Sequence, residues 1–300
     1  MSKFINPFSD EGFKRLFGQD ISKPVLLTFL NALLENERHI INLEYRDKEQ
    51  LGIRNDEDRS AIYDIYCEVE GGDHIIVEMQ NKSQPYFKDR SIFYSSYAIA
   101  KQGEPGDEWK YNLKAVYTVC FLNFRRPDIS TEFRTDVALM DMRHNTLFSN
   151  KLRLIYLQLP LFQKEPEDCT TIFEQMIYTL KNMDILQRRP DLFQGPVFSK
   201  IASIADVASL TKEERERYDI SLRQYRDTMA VLEGQYMEGL EKGMEKGMEK
   251  GMEKGMEKGM EKGMEKEKVE TVYRLKQLGL TVEQIAQGVG MTKEEVSAML

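Results

Sequence analysis

The chain has 300 residues, of which 41% are hydrophobic and 31% are charged, and its formal net charge is −8. This composition is that of a globular protein with one sizeable domain and a smaller appendage, and it excludes a disordered chain. The negative balance argues against a protein that coats nucleic acid, but clustered acids that hold metal ions would also lower the charge of an enzyme acting on DNA.

The cysteines and the apolar runs indicate the compartment. Cys67, Cys120 and Cys169 are far apart in apolar stretches, which predicts buried free thiols and neither a disulfide framework nor a CxxC metal site. The first residues lack the apolar stretch of a leader, and no run approaches the roughly 18 apolar residues of a membrane helix. We therefore expect a cytoplasmic protein with no membrane partner.

The first part of the chain predicts an α/β fold. A short helix is expected from Ser9 or Asp10, and a second from Ser22 and Pro24, both covering one side of a sheet. The elements expected after them are a strand at His39–Arg46, a strand at Ala61–Glu70, a strand at His74–Gln80, a helix from about Pro85 to Gln102, and a strand at Leu113–Phe124. The predicted order is therefore αβββαβ, with a mixed sheet flanked by helices.

Two more strands, Phe133–Met140 and Leu152–Leu159, could extend this sheet, and the segment Cys169–Tyr236 predicts several helices. The proposed division is a core at 1–125, a sheet extension and helical region at 126–236, a repeat at 237–266 and a tail at 267–300.

The repeat consists of seven tetrads from Gly239 to Lys266, one GLEK and six GMEK. A four-residue period advances about 400° per tetrad on a helix, so the Met stripe drifts by about 40° each time. The seven glycines weaken a helix further. We predict a marginal helix or a flexible spacer; the alternatives are a Met-lined helix that self-associates into a homo-oligomer, and a spacer whose copy number tunes the reach of the tail.

The tail predicts three short helices, Val269–Leu278 and two that begin after capping residues Thr281 and Thr292. Ala286, Gly290 and Val296 have the spacing of a helix-turn-helix, which the tail resembles. The expected recognition helix carries more Glu than Lys, so DNA contact and a small packing module both remain open.

Two acids interrupt the predicted hydrophobic strands. Alternation places Asp64 on one face of its strand with Ile62, Tyr66 and Glu68, opposite an apolar face formed by Tyr63, Ile65, Cys67 and Val69. In the next strand Glu78 shares a face with Ile76 and Gln80. An acid at such a position costs stability unless something compensates, and a divalent cation is one such compensation.

The turn between the strands decides whether the two acids can meet. A two-residue turn at Gly71-Gly72 would put Asp64 opposite Met79 and separate it from Glu78. A three-residue turn, Gly71 to Asp73, pairs Glu70 with His74 and sets Asp64 opposite Gln80, diagonal to Glu78. We predict this second register or an equivalent bulge, with both carboxylates on one face.

Converging carboxylates are suited to phosphodiester hydrolysis. They can hold Mg²⁺, which stabilises charge on the phosphate and lowers the pKa of a bound water. Gln80 can hydrogen-bond to that water but carries no positive charge. His39, His74 and His144 show no ligand spacing.

The pattern Asp64-x13-Glu78-Met79-Gln80, together with the αβββαβ order, resembles the PD-(D/E)XK nuclease superfamily and more closely its Rpn branch of recombination-promoting nucleases, also described as transposases. The words that carry the resemblance over about residues 4–125 are Asp10-Glu11-Gly12-Phe13-Lys14-Arg15-Leu16-Phe17-Gly18, Phe29-Leu30-Asn31-Ala32-Leu33-Leu34, Val77-Glu78-Met79-Gln80, and Arg90 followed by Tyr94.

The resemblance implies roles for these residues. Asp64 and Glu78 would be metal ligands, Gln80 would occupy the usual lysine position, and Asp10 would be an additional acid from the first helix. Asp10 is equally suited to stabilising the helix N-terminus. Arg90 and Tyr94, with Tyr97 on the same helix face, are expected to contact the DNA backbone, or, for the two tyrosines, to lie in the core.

The function implied is a Mg²⁺-dependent DNA endonuclease, with Mn²⁺ as a substitute, acting in recombination, transposition or defence against foreign DNA. The alternative is a weak or inactive module of the same fold that binds DNA or a protein, because Gln80 replaces a cation.

Overall fold

The computed structural model describes residues 2–47, 49–50, 61–104, 110–186 and 193–300. They fall into two compact units, the first ending at Met229 and the second beginning at Ala230. The helices are α1 (Asp10–Phe17), α2 (Lys23–Leu33), α3 (Phe87–Ala100), α4 (Ile172–Asn182), α5 (Pro196–Ala205), α6 (Lys212–Gln277), α7 (Val282–Val289) and α8 (Lys293–Met299). Within these ranges no helix is both long and apolar enough to cross a bilayer.

The strands form one large and one small sheet. They are β1 (Leu43–Tyr45), β2 (Glu49–Gln50), β3 (Ala61–Ile62), β4 (Ile65–Val69), β5 (His74–Gln80), β6 (Val116–Leu122), β7 (Arg134–Asp141) and β8 (Thr146–Gln158). The six-stranded sheet has the order β1-β4-β5-β6-β8-β7, and β2 pairs with β3 alone. The mixed α/β sheet flanked by helices confirms the predicted fold class.

Strand β6 lies in the centre of the sheet, and all seven of its residues are buried. It runs parallel to both β5 and β8. A parallel neighbour must be reached by a crossover, and α3 supplies the crossover from β5 to β6. Because both faces of such a strand are covered, its sequence Val116–Leu122 is apolar at every position but Thr118 and shows no alternation.

The two faces of the sheet pack against different helices. One face, which includes Ile65, Val77 and Phe121, belongs to a core shared with α1, α2, α4 and α5. On the other face, Tyr66 and Ile76 pack with Tyr97 and Ala98 of α3 in a separate smaller cluster. The side chain of Glu78 belongs to this second face, since it follows Ile76 by two positions.

The Asp10–Phe17 segment, part of the pattern that carries the family resemblance, is also a packing element. Ser9 caps α1 by accepting a hydrogen bond from the Gly12 amide at 3.2 Å. A Cβ at Gly12 would lie 2.0 Å from the carbonyl oxygen of Asn6, so only glycine fits there. Arg15 is 8% exposed and donates to the carbonyl oxygen of Ile204 at 2.7 Å, which ties α1 to α5.

The β4–β5 register differs from the predicted one by two residues. Glu68 pairs with His74, where the prediction paired Glu70 with His74. The turn instead uses Glu70, Gly71 and Gly72, with the Val69 amide donating to the carbonyl oxygen of Asp73 at 2.9 Å. A shift of two preserves the face parity of the paired residues, Ile65 to Glu68. Asp64 lies just outside them, and hydrogen bonds to Glu78 and Met79 place it beside Glu78.

Asp73 explains why the turn comes before it and does not include it. Its carboxylate is bound by residues outside the hairpin. One oxygen accepts from the Ala115 amide at 2.7 Å, and the other pairs with Arg38. Gly71 and Gly72 take φ values of 87° and 85°, a backbone conformation that favours glycine.

The predicted strand Ala61–Glu70 is interrupted. Residues 63 and 64 separate β3 from β4, and Asp64 lies in a bend. Tyr63 was expected on the face with Ile65, but the bend places it with Tyr66 in the cluster against α3. The expected strand His39–Arg46 shortens to β1, and Leu152–Leu159 lengthens into β8, which pairs with β7 as a hairpin.

The tetrads lie within the single helix α6, so they take the helical one of the two predicted states. Their methionines are exposed, from 55% at Met264 to 71% at Met248. After α6, both predicted capping boxes are present, at Thr281 and Thr292. Val272 of α6 packs with Ile285 of α7 and Val296 of α8 in a small separate core.

Candidate active site

The two predicted acids meet at the end of β5. Asp64 directly precedes the Ile65–Val77 pair, so it lies next to Glu78 of the neighbouring strand β5. The backbone amide of Asp64 donates to Oε1 of Glu78 at 3.3 Å, and Oδ2 of Asp64 accepts from the Met79 amide at 2.8 Å. The bend before β4 therefore turns the Asp64 carboxylate toward β5 and fixes it there.

Glu78 is 5% exposed, which is unusual for a carboxylate. Burial, followed by the charge of Asp64, raises the pKa of Glu78 to about 8. The hydrogen bond from the Asp64 amide and the positive charge of Arg90 act in the opposite direction. A buried carboxylate with a second acid beside it is an arrangement that a bound cation stabilises.

Gln80 and Arg90 contact the same oxygen of Glu78. Nε2 of Gln80 donates to Oε2 of Glu78 at 3.2 Å, and Nη2 of Arg90 lies 3.8 Å from that oxygen. Arg90 also donates from Nη1 to Oε1 of Gln84 at 3.0 Å, and its guanidinium lies 5.1 Å from the ring centroid of Tyr94. The positive charge that Gln80 lacks is therefore supplied to Glu78 from α3.

The residues present fit a divalent metal ion. Asp64 and Glu78 offer carboxylate oxygens, the ligand type that Mg²⁺ and Mn²⁺ prefer. In the part of the chain that the structure describes, no group of three or more Asp, Glu, His or Cys side chains could hold a metal. A metal here would rely on these two carboxylates, completed by backbone oxygens or water.

Asp10 stands apart in its contacts. It begins α1, its side chain is 56% exposed, and its Oδ2 accepts from Nζ of Lys14 at 2.6 Å. The start of α1 is tied to the end of β5, since Nδ2 of Asn81 donates to the carbonyl oxygen of Phe8 at 2.6 Å. The proposed role of Asp10 as a third acid remains a prediction.

The α3 tyrosines have different environments. Tyr97 is 4% exposed and lies in the cluster with Tyr63, so the core interpretation holds for it. Tyr94 is half-buried, and its carbonyl oxygen accepts from the hydroxyl of Tyr63 at 3.1 Å. Tyr94 thus reaches the surface beside Arg90.

A cleft beside Arg90 was not predicted. Its volume is about 590 Å³, and it is lined by Gln84, Pro85, Tyr86, Asp89, Arg90, Phe93 and Tyr94. Tyr86 and Phe93 are 76% and 46% exposed. Helical spacing puts Tyr86, Arg90 and Phe93 on one face of α3, at i, i+4 and i+7. Spacing alone does not show that the two rings stay exposed around an opening.

The sequence was compared with family models, curated proteins and solved structures. The model of the family described as PD-(D/E)XK nuclease family transposase matches residues 7–235. No curated protein and no solved structure matches the chain.

Proposed function

Because the chain belongs to the PD-(D/E)XK nuclease family transposases, we propose that it is a divalent-metal-dependent DNA endonuclease whose site is formed by Asp64 and Glu78. The observation that carries the proposal is the pairing of these two acids, with the Asp64 amide 3.3 Å from Oε1 of a Glu78 that is almost fully buried. A purely structural role gives no reason to bury Glu78 beside a second acid, Asp64.

Asp64 and Glu78 would hold Mg²⁺, or Mn²⁺ in its place. When bound, the ion would stabilise negative charge on a phosphate and lower the pKa of a water ligand. Asp10 is included as a further acid that could assist from α1.

The chain's own residues position this site. The Met79 amide fixes the Asp64 carboxylate, and Gln80 orients Oε2 of Glu78 by a hydrogen bond. Arg90 brings a guanidinium to the same oxygen, where it can also attract the phosphate backbone of DNA. Arg90 thus takes over the electrostatic part of the role of a lysine at position 80.

The test is cleavage of supercoiled plasmid by the purified full chain. We expect nicked or linear DNA with Mg²⁺ or Mn²⁺ and intact plasmid after a chelator is added, with cutting restored by excess metal. Cleavage that persists in chelator would contradict a metal-dependent site.

A non-catalytic module that binds DNA or a protein is the second candidate, and the observation that favours it is Gln80 in place of a lysine. Calorimetric titration with Mg²⁺ separates the two. A functional site binds the ion in the wild type and loses that binding in Asp64→Asn, whereas a degenerate site gives no Asp64-dependent heat.

The biological setting is part of the same proposal. Recombination, transposition or defence against foreign DNA, as in the Rpn branch, would all use DNA cleavage.

Self-association through the exposed methionines of α6 is the assembly we propose, and light scattering of the full chain measures it.

A further inference from the structure

The cleft next to Glu78 has the chemistry of a nucleobase site. We infer that the cleft lined by Tyr86, Phe93 and Tyr94 binds an unstacked nucleobase of the DNA that is cut, so that the enzyme engages single-stranded or locally opened DNA in preference to a stacked duplex. This inference rests on the proposed function for the identity of the substrate, and it adds the form of DNA that the site takes.

Exposed aromatic rings are the first observation. Tyr86 directly precedes α3 and Phe93 lies within it, and they keep 76% and 46% of their surface exposed. Large aromatic side chains are usually buried, and rings left in solvent at the mouth of an opening mark a binding surface. Every nucleobase has a π face that can stack on such rings.

Continuity with the acids is the second observation. Arg90 lines the cleft and also lies 3.8 Å from Oε2 of Glu78. The cleft therefore adjoins the guanidinium that is proposed to contact the DNA phosphate. A nucleotide whose phosphate contacts Arg90 would extend its base into the cleft, and a guanidinium between phosphate and aromatic ring serves both by charge and by cation–π contact.

Polar groups at the rim give the third observation. The cleft includes Gln84 and Asp89, whose side chains can hydrogen-bond to the edge of a base. The loop that carries Gln84 is anchored, because Nη1 of Arg126 donates to the carbonyl oxygen of Gln84 at 2.6 Å. Arg126 is itself paired with Asp128 at 2.7 Å. The part of the rim at Gln84 is therefore held in place by Arg126.

A base inside a stacked duplex offers no free π face, so the cleft can be filled only by a base that leaves the stack. Such a base can come from a single strand or from a duplex opened at one position. The two sources present the same chemistry to Tyr86 and Phe93.

The experiment measures binding without cleavage, with the full chain in chelator and fluorescence anisotropy as the readout. The probes are a single-stranded oligodeoxynucleotide, the same strand with abasic sites throughout, its perfect duplex, and a duplex with one unpaired base. The variants are Tyr86→Ala and Phe93→Ala, with Tyr86→Phe and Phe93→Tyr as conservative partners. Phe148→Ala is the matched control, because this ring is 78% exposed on β8 and does not line the cleft.

We expect each alanine variant to weaken binding of the single strand by about 5-fold or more, the loss typical of one stacking ring. The conservative variants and Phe148→Ala should keep wild-type affinity, and the abasic strand should bind all variants equally. A loss for the duplex with an unpaired base identifies base extrusion as a second source. Unchanged affinity for the single strand in both alanine variants, or an equal loss for the abasic strand, would overturn the inference. Because binding is read without cutting, these results are independent of whether the chain proves to be a nuclease.

Discussion

Three side chains carry the proposed chemistry, and they come from three different elements. Asp64 lies in a bend before β4, Glu78 in β5 and Arg90 in α3. The sequence predicted the pairing of the two acids because strand parity places them on one face. It did not predict that Arg90 reaches Glu78, since the distance between β5 and α3 depends on how Tyr97 and Ala98 pack against the sheet.

The electrostatic role of Arg90 can be tested by moving the charge. Arg90→Met should lower the cleavage rate by about 100-fold, the cost of removing one positioned stabilising group. Adding Gln80→Lys to that variant should restore part of the rate, because the new ammonium lies on the side of Glu78 that Gln80 now contacts. Single-turnover cleavage measures both. If Gln80→Lys gives no recovery in the Arg90→Met background, Arg90 acts through DNA contact and not through charge at the acids.

His74 makes the stability of the sheet depend on pH. It is half-buried, stacks on Tyr66 and hydrogen-bonds to its hydroxyl at 3.1 Å. Burial lowers the pKa of His74 below 6.5. The charge of Glu68 raises this pKa and that of Arg46 lowers it further. As the pH falls, the unfolded chain therefore binds a proton at His74 at a higher pH than the folded chain does. The contribution of His74 to the free energy of unfolding is complete above pH 6.5 and is lost as the pH falls toward the folded pKa.

The measurement is urea unfolding at about pH 7 and about pH 5 for the wild type and His74→Phe. The wild type should lose more stability on acidification than the variant, because phenylalanine keeps the stacking on Tyr66 and takes up no proton. Equal losses would show that His74 is not responsible.

Among the elements, the β4–β5 hairpin shows most clearly what sequence can give. The apolar alternation and the glycines predicted two strands, a turn between them and the correct parity. The register was off by two residues because nothing in the turn sequence reveals that Asp73 is held by Arg38 and the Ala115 amide. Those partners lie 35 and 42 residues away in sequence.

Substitution of Gly71 tests the turn. Gly71 has φ 87°, and a Cβ there would meet only Nη2 of Arg38, at 3.8 Å. Gly71→Ala should therefore cost about 1–2 kcal/mol through backbone strain alone. Urea unfolding of the first unit measures the loss. Gly251→Ala is the contrast, because Gly251 is helical with open space around it, and alanine there should increase helicity.

The formation of helix α6 could not be predicted from its sequence. Its glycines and drifting Met stripe indicated at most a marginal helix, and the structure has one helix from Lys212 to Gln277. Local propensity predicts how costly such a helix is, but not whether it is formed. Exposed methionines along it are the surface on which a partner would stabilise it.

At the scale of the whole molecule, the α/β class and the central apolar strand could be predicted because both depend on local patterns. The way in which later segments stabilise the first helices could not be predicted, because it depends on contacts between residues distant in sequence. The start of α6 supports α1: the hydroxyl of Tyr218 accepts from the Asn6 amide at 2.8 Å, and Oγ of Ser221 accepts from the Glu11 amide at 3.1 Å.

These contacts predict where the chain can be shortened. A chain ending at Tyr236 should fold and cut DNA, because it keeps the whole first unit. A chain ending at Leu210 should lose cooperative unfolding, because the Tyr218 and Ser221 contacts are removed. Circular dichroism and plasmid cleavage test both. Loss of folding in the chain that ends at Tyr236 would mean that residues beyond it are needed.

The pairing of Asp64 with Glu78 is the central claim, and variants of β4 and its flanking bend test it most directly. Asp64→Asn keeps the shape of the side chain but removes its charge, whereas Glu68→Gln does the same for a nearby acid of β4 that pairs with Arg46. In a plasmid-cleavage assay with Mg²⁺, with folding checked by circular dichroism, we expect Asp64→Asn to lose about 100-fold or more in rate and Glu68→Gln to match the wild type. Cleavage by folded Asp64→Asn at the wild-type rate would contradict the account.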